Sequence, residues 1–416
     1  MILRCFYDYC SVTAQTSFFI RSDETEEQKI RQRQLLLQSL GRQPLPGFVT
    51  TFPFDKERAG TAHCENMIGS VSLPVGVAGP LSMQMQIDTI VQHIPNVVFP
   101  LATTEGALVA SINRGVRVMQ EAEKLEVTVK KVGMSRAPVF ECRTKQKAKH
   151  FESWLLRHTD TFQEAADTTS SHTSFLSVKT WRKDTLVYAR CVFNTGEAMG
   201  MNMVSIALAH WWESCVPASV KKDIRLVALS SNLCADKKPA AINRQLGRGH
   251  WVAVEAVFSH STWFKLLRVS VQDTMAAHEA KNVVGSQLAG TPAGNMQVAN
   301  AAAAFFLATG QDCAHVVDVA SAAAVSFVDT GTHIVVSLDL PTVPVGSVGG
   351  GTALAPQQAW LAVVTGKKIA AAVLAGCFGV VALAGEISGL AALANNTLSV
   401  AHKRLGRNND SSLRAK

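Results

Sequence analysis

The segment Ser230-Ser231-Asn232-Leu233-Cys234-Ala235-Asp236-Lys237-Lys238-Pro239 brings two adjacent cations, a carboxylate and two hydroxyls into one short stretch. Pro239 keeps it out of ordinary helix, because proline has no amide hydrogen and restricts the residue before it. A loop of this make-up can grip an anion. The carboxylate keeps a neighbouring lysine charged, and a fixed backbone aims that lysine as an oxyanion donor. A solvated turn accounts for the same run, so the surrounding segments must decide between them.

Four more blocks have unusual composition: Glu65-Asn66-Met67-Ile68-Gly69 running into Leu73-Pro74-Val75-Gly76-Val77-Ala78-Gly79-Pro80; Leu101-Ala102-Thr103-Thr104-Glu105-Gly106; Gly196-Glu197-Ala198-Met199-Gly200-Met201-Asn202-Met203; and Ala308-Thr309-Gly310-Gln311-Asp312. Together with the loop and a C-terminal Ser399-Val400-Ala401-His402, they resemble 3-hydroxy-3-methylglutaryl-coenzyme A reductase in order and spacing, over roughly residues 60 to 407. The resemblance implies reduction of the thioester by two hydride transfers, giving mevalonate and free coenzyme A, with two NADPH per turnover and no metal. It also implies a homodimer or dimer of dimers with shared sites.

The residues allow bland readings beside those roles. Glu105, near a helix start, is either a carboxylate favoured by the helix dipole or, by resemblance, the acid that protonates the reducing carbonyl, which requires a raised pKa. Asp312 reads as a polar residue at a helix end; resemblance places it beside Glu105 and Lys237 as one coupled system. His402 is a surface histidine or, by resemblance, the general acid for the departing thiolate, a task that suits imidazolium.

The Gly196–Met203 block opens a helix, and helix N-termini attract phosphate. Resemblance makes Glu197, Met199, Gly200, Met201, Asn202 and Met203 the NADPH contacts. For the acyl group, Arg136 and Lys238 are candidate partners of the free carboxylate, with Ser230, Asn232, Asp236 and Asn300 as polar contacts. Gly346-Ser347-Val348-Gly349-Gly350-Gly351-Thr352 is either a phosphate cradle or a tight structural turn. No GxGxxG follows a strand, so a Rossmann cofactor site has no support.

Two positions depart from the family pattern: Glu197 stands where aspartate is usual, and Gln297 where histidine is common. They motivate an alternative reading, a degenerate homologue that binds coenzyme A esters without reducing them. The form of the block around Glu105 is eukaryotic- and archaeal-like, which favours NADPH.

At 416 residues with 47% hydrophobic content, the chain can bury a large core and exceeds one average domain. The formal charge of +8 is spread along the chain. No basic stripe interleaved with aromatics or zinc-finger spacing points to nucleic acid. Nine cysteines lie scattered without a CxxC pair, which suits a reducing compartment and disfavours a metal site. The apolar run from Ile369 to Gly385 reads as a close-packed internal helix rather than a membrane segment, being short and rich in small residues. Met1 to Ile20 lacks the apolar core of a secretory signal. A cytoplasmic protein is expected, with an organelle matrix as the alternative.

These motifs need elements to hold them. Residues 1–60 read as an N-terminal helical region, with a surface helix over 24–40 and irregular backbone from there to Gly79-Pro80. Residues 104–120 read as helix. From 137 to 229 the pattern predicts strand, helix, a hairpin about Lys183-Asp184, helix and strand. That βαββαβ order is the ferredoxin-like plan of a small cofactor-binding domain. It is inserted into a large, mainly helical domain formed by 61–136 and 241–407. Residues 230–240 form the catalytic connecting loop and 408–416 a flexible tail. The fold class is α+β.

Overall fold

The computed structural model describes residues 23–397 together with Phe18 and Ile20. The chain opens with α1 (Glu26–Ser39), started by a reciprocal capping box between Thr25 and Gln28, and α2 (Lys56–Ala62). A two-residue turn at Asp88-Thr89 then joins β1 (Val75–Ile87) to β2 (Ile90–Ala102). The irregular backbone expected up to Gly79-Pro80 is therefore strand from Val75 onward. The alternation Leu81-Ser82-Met83-Gln84-Met85-Gln86, buried then exposed throughout, carries the period of two that specifies it.

Next come α3 (Leu108–Gln120) and β3 (Lys124–Arg136). Strand β3 belongs to two sheets. Residues 124–133 pair with the strand formed by Arg248–Ser259, and Met134–Arg136 pair with the one formed by Leu186–Asn194. Gly133, with φ +90°, makes the switch, and a Cβ there would lie 2.8 Å from the Phe193 carbonyl oxygen. Only glycine fits so close an approach in that conformation.

The chain continues through β4 (Val139–Cys142), α4 (Lys145–Arg157), α5 (Asp160–Thr169), β5 (Ser174–Lys183), β6 (Leu186–Asn194), α6 (Met201–His210) and β7 (Ile224–Ala228). The single helix expected between the first strand of this region and its hairpin is two helices, broken at His158-Thr159. Four strands lie in the order β7–β4–β6–β5 with antiparallel neighbours. Their core is aromatic, with Phe140, Phe151, Phe162, Phe193 and Trp211 buried together.

After residue 240, β8 (Arg248–Ser259) alternates buried and half-buried residues along its whole length. It pairs with β3 on one side and with β10 on the other. Helix α7 (Val298–Thr309), β9 (Ala324–Asp329), β10 (His333–Val343) and α8 (Ala371–Ala394) follow. Helix α8 is long and apolar enough to cross a membrane by length and composition, but its most apolar window is buried inside the protein throughout. Its alanines and glycines let α3, β3 and β8 approach closely, as its composition predicts.

One acid interrupts α8. Glu386, fully buried, accepts the amides of Met296 (3.0 and 2.9 Å) and Gln297 (2.7 Å), capping the start of α7. Burial pushes its carboxyl up to about 7 despite those bonds. The folded protein thus holds a proton here that the unfolded chain releases near pH 4.5. The stabilisation is complete below that value and is lost as pH rises through about 7, amounting to about 3 kcal/mol. Glu386→Gln, which still offers an oxygen to the amides, should flatten this part of the stability profile. Parallel curves of denaturant midpoint against pH for the two proteins would exclude the effect.

Candidate active site

The DKKP loop leaves β7 through a turn of 3-10 helix, Asn232–Cys234. Two non-glycine residues in it are left-handed, Ala235 at φ 51° and Lys237 at φ 56°. Such backbone persists only where the surroundings over-determine it. Here the buried Asn243 donates from Nδ2 to the Ala235 carbonyl (3.0 Å), and the Lys238 amide donates to Asp318 Oδ1 (3.0 Å). The result aims Lys237 at Asp312, with Nζ 2.7 Å from Oδ2.

Asp312 follows α7 and caps the next turn, its Oδ1 accepting the Ala314 amide at 3.0 Å. Partial burial works against its charge, but the Lys237 bond, the Ala314 amide and the nearby His315 hold its carboxyl below the ordinary aspartate range. Lys237 therefore faces an ionised partner at neutral pH.

Asp236 points the other way, into a network of buried charges. Its Oδ2 meets Arg136 Nη1 (3.3 Å) and its Oδ1 meets Arg248 Nη2 (3.0 Å). Arg248 has no exposure and also bonds Asp318 (2.8 Å), which has none either. Arg136, at the end of β3, additionally donates to Ser205 (2.9 Å) and Ser230 (3.2 Å). Lys238 turns its Nζ to the Asp236 carbonyl (3.3 Å), and Asn232 is exposed at the start of the loop turn.

A cleft of about 600 Å³ runs past this network. Its lining includes Arg136, Asp236, Lys237 and Asp312, the helix start Met199-Gly200-Met201-Asn202-Met203, and Gly346 with Val348–Thr352. Among the described residues, no side chain caps the first amides of α6. At Gly349 and Gly350, both with φ in the left-handed range, a Cβ would meet nothing within 4 Å among the described residues. Uncapped amides facing bare glycine backbone suit the phosphates of a dinucleotide.

Glu197 is not among the cleft-lining residues. Its Oε2 accepts the amide of Ala371 (2.5 Å), the first residue of α8, and the hydroxyl of Ser347 (3.2 Å). The longer side chain thereby ties the α6 segment to the core helix. Glu197→Ala should cost about 1–2 kcal/mol of stability, with Glu197→Asp in between. Unchanged denaturant midpoints would remove this role. Gln297 has a structural partner as well, donating from Nε2 to the Gly385 carbonyl.

Glu105 lies elsewhere. Exposed ahead of α3, it accepts Asn300 Nδ2 at 3.2 Å in the first turn of α7. Asp312 lies three residues beyond the other end of that helix, whose 12 residues span about 18 Å. One chain therefore brings Lys237 to Asp312 and Glu105 to Asn300, but sets the two pairs at opposite ends of α7. His402 falls outside the described residues.

Sequence reasoning missed Arg248, His315 and Asp318. Their only trace was the spacing of His315 and Asp318, three apart on one helical face.

A family model described as hydroxymethylglutaryl-coenzyme A reductase matches residues 29–407. The chain is 40% identical to the 3-hydroxy-3-methylglutaryl-coenzyme A reductase of Haloferax volcanii over 381 residues, covering 90% of this chain and 92% of that protein. It is 39% identical to that of Pyrococcus horikoshii over 357 residues, covering 83% and 84%. Among solved structures, the class II reductase from Streptococcus pneumoniae bound to NADPH in open conformations matches with a TM-score of 0.61 at 17% identity, covering 87% of this chain and 96% of that one. At that identity the likeness concerns the fold.

Proposed function

Because the chain belongs to the hydroxymethylglutaryl-coenzyme A reductase family, whose reaction reduces HMG-CoA to mevalonate and coenzyme A, we propose that Lys237 and Asp312 form the reacting pair and that NADPH enters along Met199–Met203. The observation that carries this reading is the shared cleft: one cavity is lined by both the uncapped start of α6 and the Lys237–Asp312 pair. The neighbour bound to NADPH supports the choice of cofactor. When bound, NADPH supplies hydride to the acyl carbon, twice per turnover.

The chain's residues have the remaining work. Lys237 Nζ donates to the oxygen that becomes an oxyanion as the thioester carbonyl is reduced, and a donor already aimed at the developing charge lowers the barrier without any reorganisation. Asp312 keeps that ammonium charged and oriented. Arg136 presents a guanidinium to the cleft, suited to the free carboxylate of the acyl group. His402 protonates the leaving thiolate, and Glu105 protonates the aldehyde oxygen in the second reduction. Since one chain keeps Glu105 and Lys237 at opposite ends of α7, the complete site joins Glu105 of one copy to Lys237 of another in a homodimer.

The test is substrate-dependent oxidation of NADPH, with NADH in parallel and the released thiol titrated. Two NADPH oxidised per thiol is the expected result. HMG-CoA binding without oxidation of either cofactor would favour the coenzyme A ester-binding alternative.

A further inference from the structure

The Lys237–Asp312 pair has a buried neighbour that this reaction scheme leaves idle. His315 has no exposure and ends the turn that Asp312 caps. Its Nδ1 lies 2.9 Å from Asp318 Oδ2. Its Nε2 has no hydrogen-bond partner among the described residues. The polar atoms facing Nε2 are carboxylate oxygens, Asp312 Oδ2 at 3.8 Å and Asp236 Oδ1 at 3.9 Å.

Both ring nitrogens face carboxylate oxygens, Nδ1 that of Asp318 and Nε2 those of Asp312 and Asp236, and a hydrogen on each makes all of these contacts attractive. Asp236, His315 and Asp318 also present potential metal-ligand atoms within 4.8 Å of one another. Arg248 already bridges the two carboxylates, at 3.0 and 2.8 Å, and its guanidinium supplies the cation they need. The cluster is an ion-pair network around an imidazole.

We propose that His315 is a positioning residue for reduction: a hydrogen on Nε2 holds the Asp312 carboxylate towards Lys237 and becomes its main partner when Lys237 turns to the oxyanion. This rests on Lys237 and Asp312 being the reacting pair. Among the described residues, the charged groups that face the imidazole are Asp312 from its own turn, Asp318 from the helix after it, Asp236 from the DKKP loop and Arg248 from β8, whose guanidinium lies 3.5 Å from Nδ1. Lys237 and Arg136 are the remaining cations bound to those carboxylates.

Two substitutions divide the ring. Glutamine places its amide nitrogen near the site of Nε2, and asparagine near that of Nδ1. His315→Asn should lower kcat about 10- to 100-fold on both the thioester and mevaldehyde, the range for losing a hydrogen bond to a charged group, here the one that Nε2 makes to Asp312 once Lys237 has turned to the oxyanion, with KM unchanged. Its acid limb in the kcat profile should move to higher pH, because Asp312 loses a donor that favours its ionised form. His315→Gln should keep most of kcat and the wild-type limb.

An Asn variant with wild-type kcat and pH profile would overturn the proposal, as would equal losses in both variants that follow a loss of Tm. If the Asn variant does not fold, the Gln variant decides alone, since a fall in kcat there with the fold intact has the same consequence. Lys237→Ala assayed alongside separates the two levels. Activity surviving in it removes the reacting pair itself, whereas silent His315 variants beside an inactive Lys237→Ala remove only the role of His315.

Discussion

Lys237→Ala is expected to lower turnover by about two to three orders of magnitude on both the thioester and mevaldehyde, the cost of one preorganised oxyanion donor. Both substrates suffer because each reduction places negative charge on the same oxygen. The fold should survive. The Lys237 side chain is 40% exposed, and the loop bonds that set its backbone come from Asn243 and Asp318 rather than from its own side chain. Alanine meets the same left-handed φ of 56° that lysine already tolerates, so the substitution adds little strain. The measurement is a pair of turnover numbers, with circular dichroism to verify the fold. Near-normal reduction of either substrate would take Lys237 out of the mechanism.

Mixing two inactive variants, Glu105→Gln and Lys237→Ala, is expected to restore activity to about a quarter of wild type in a twofold-symmetric dimer. Random exchange makes half of the dimers mixed, and each mixed dimer rebuilds one of its two sites from the intact Glu105 of one chain and the intact Lys237 of the other. The physical ground is the length of α7, which carries Asn300 with Glu105 in its first turn and ends before Asp312 with Lys237. Loss of the proton donor alone costs about two to four orders of magnitude, so recovered activity stands far above either parent. No recovery after verified subunit exchange would confine the site to one chain, and a monomer in solution would end the idea.

How much of this was legible in the residues depended on the range of the interactions that carry the signal. Strand β8 alternates along its whole length, and α8 is built from alanine, glycine and branched aliphatic residues. The second reads as fully buried helix from its composition, whereas the alternation of β8 is one of burial and not of residue type, with apolar side chains on both faces from Trp251 to Val254, so this strand was not read from the residues. Strand β1 is harder, because Gly79-Pro80 interrupts its pattern with residues that ordinarily mark turns. Pairing with β2 on either side of them, Ala78 with Phe99 and Leu81 with Val97 across an irregularity in register, keeps the strand going, and that pairing is decided by residues about 20 positions away.

The same division holds in the site. Residue types and order were enough for the DKKP loop, the Met199–Met203 helix start and the family likeness, since a proline that bars ordinary helix and an acid beside a cation are local chemistry; the left-handed backbone of Lys237 was not, being held by Asn243 and Asp318. The destination of Glu197 was not readable. One added methylene brings its carboxylate to the amide of Ala371, a residue 174 positions away, so a side chain expected at the cofactor becomes a tie to α8. Nor could spacing reveal that Arg248 neutralises both Asp236 and Asp318, or that His315 is enclosed behind Asp312, because burial and charge pairing exist only once β8, α7 and the loop are packed. The sequence by itself determined which groups could react. Tertiary structure decided which of them meet, because that depends on the length of a helix and on where long-range strand pairing sets its two ends.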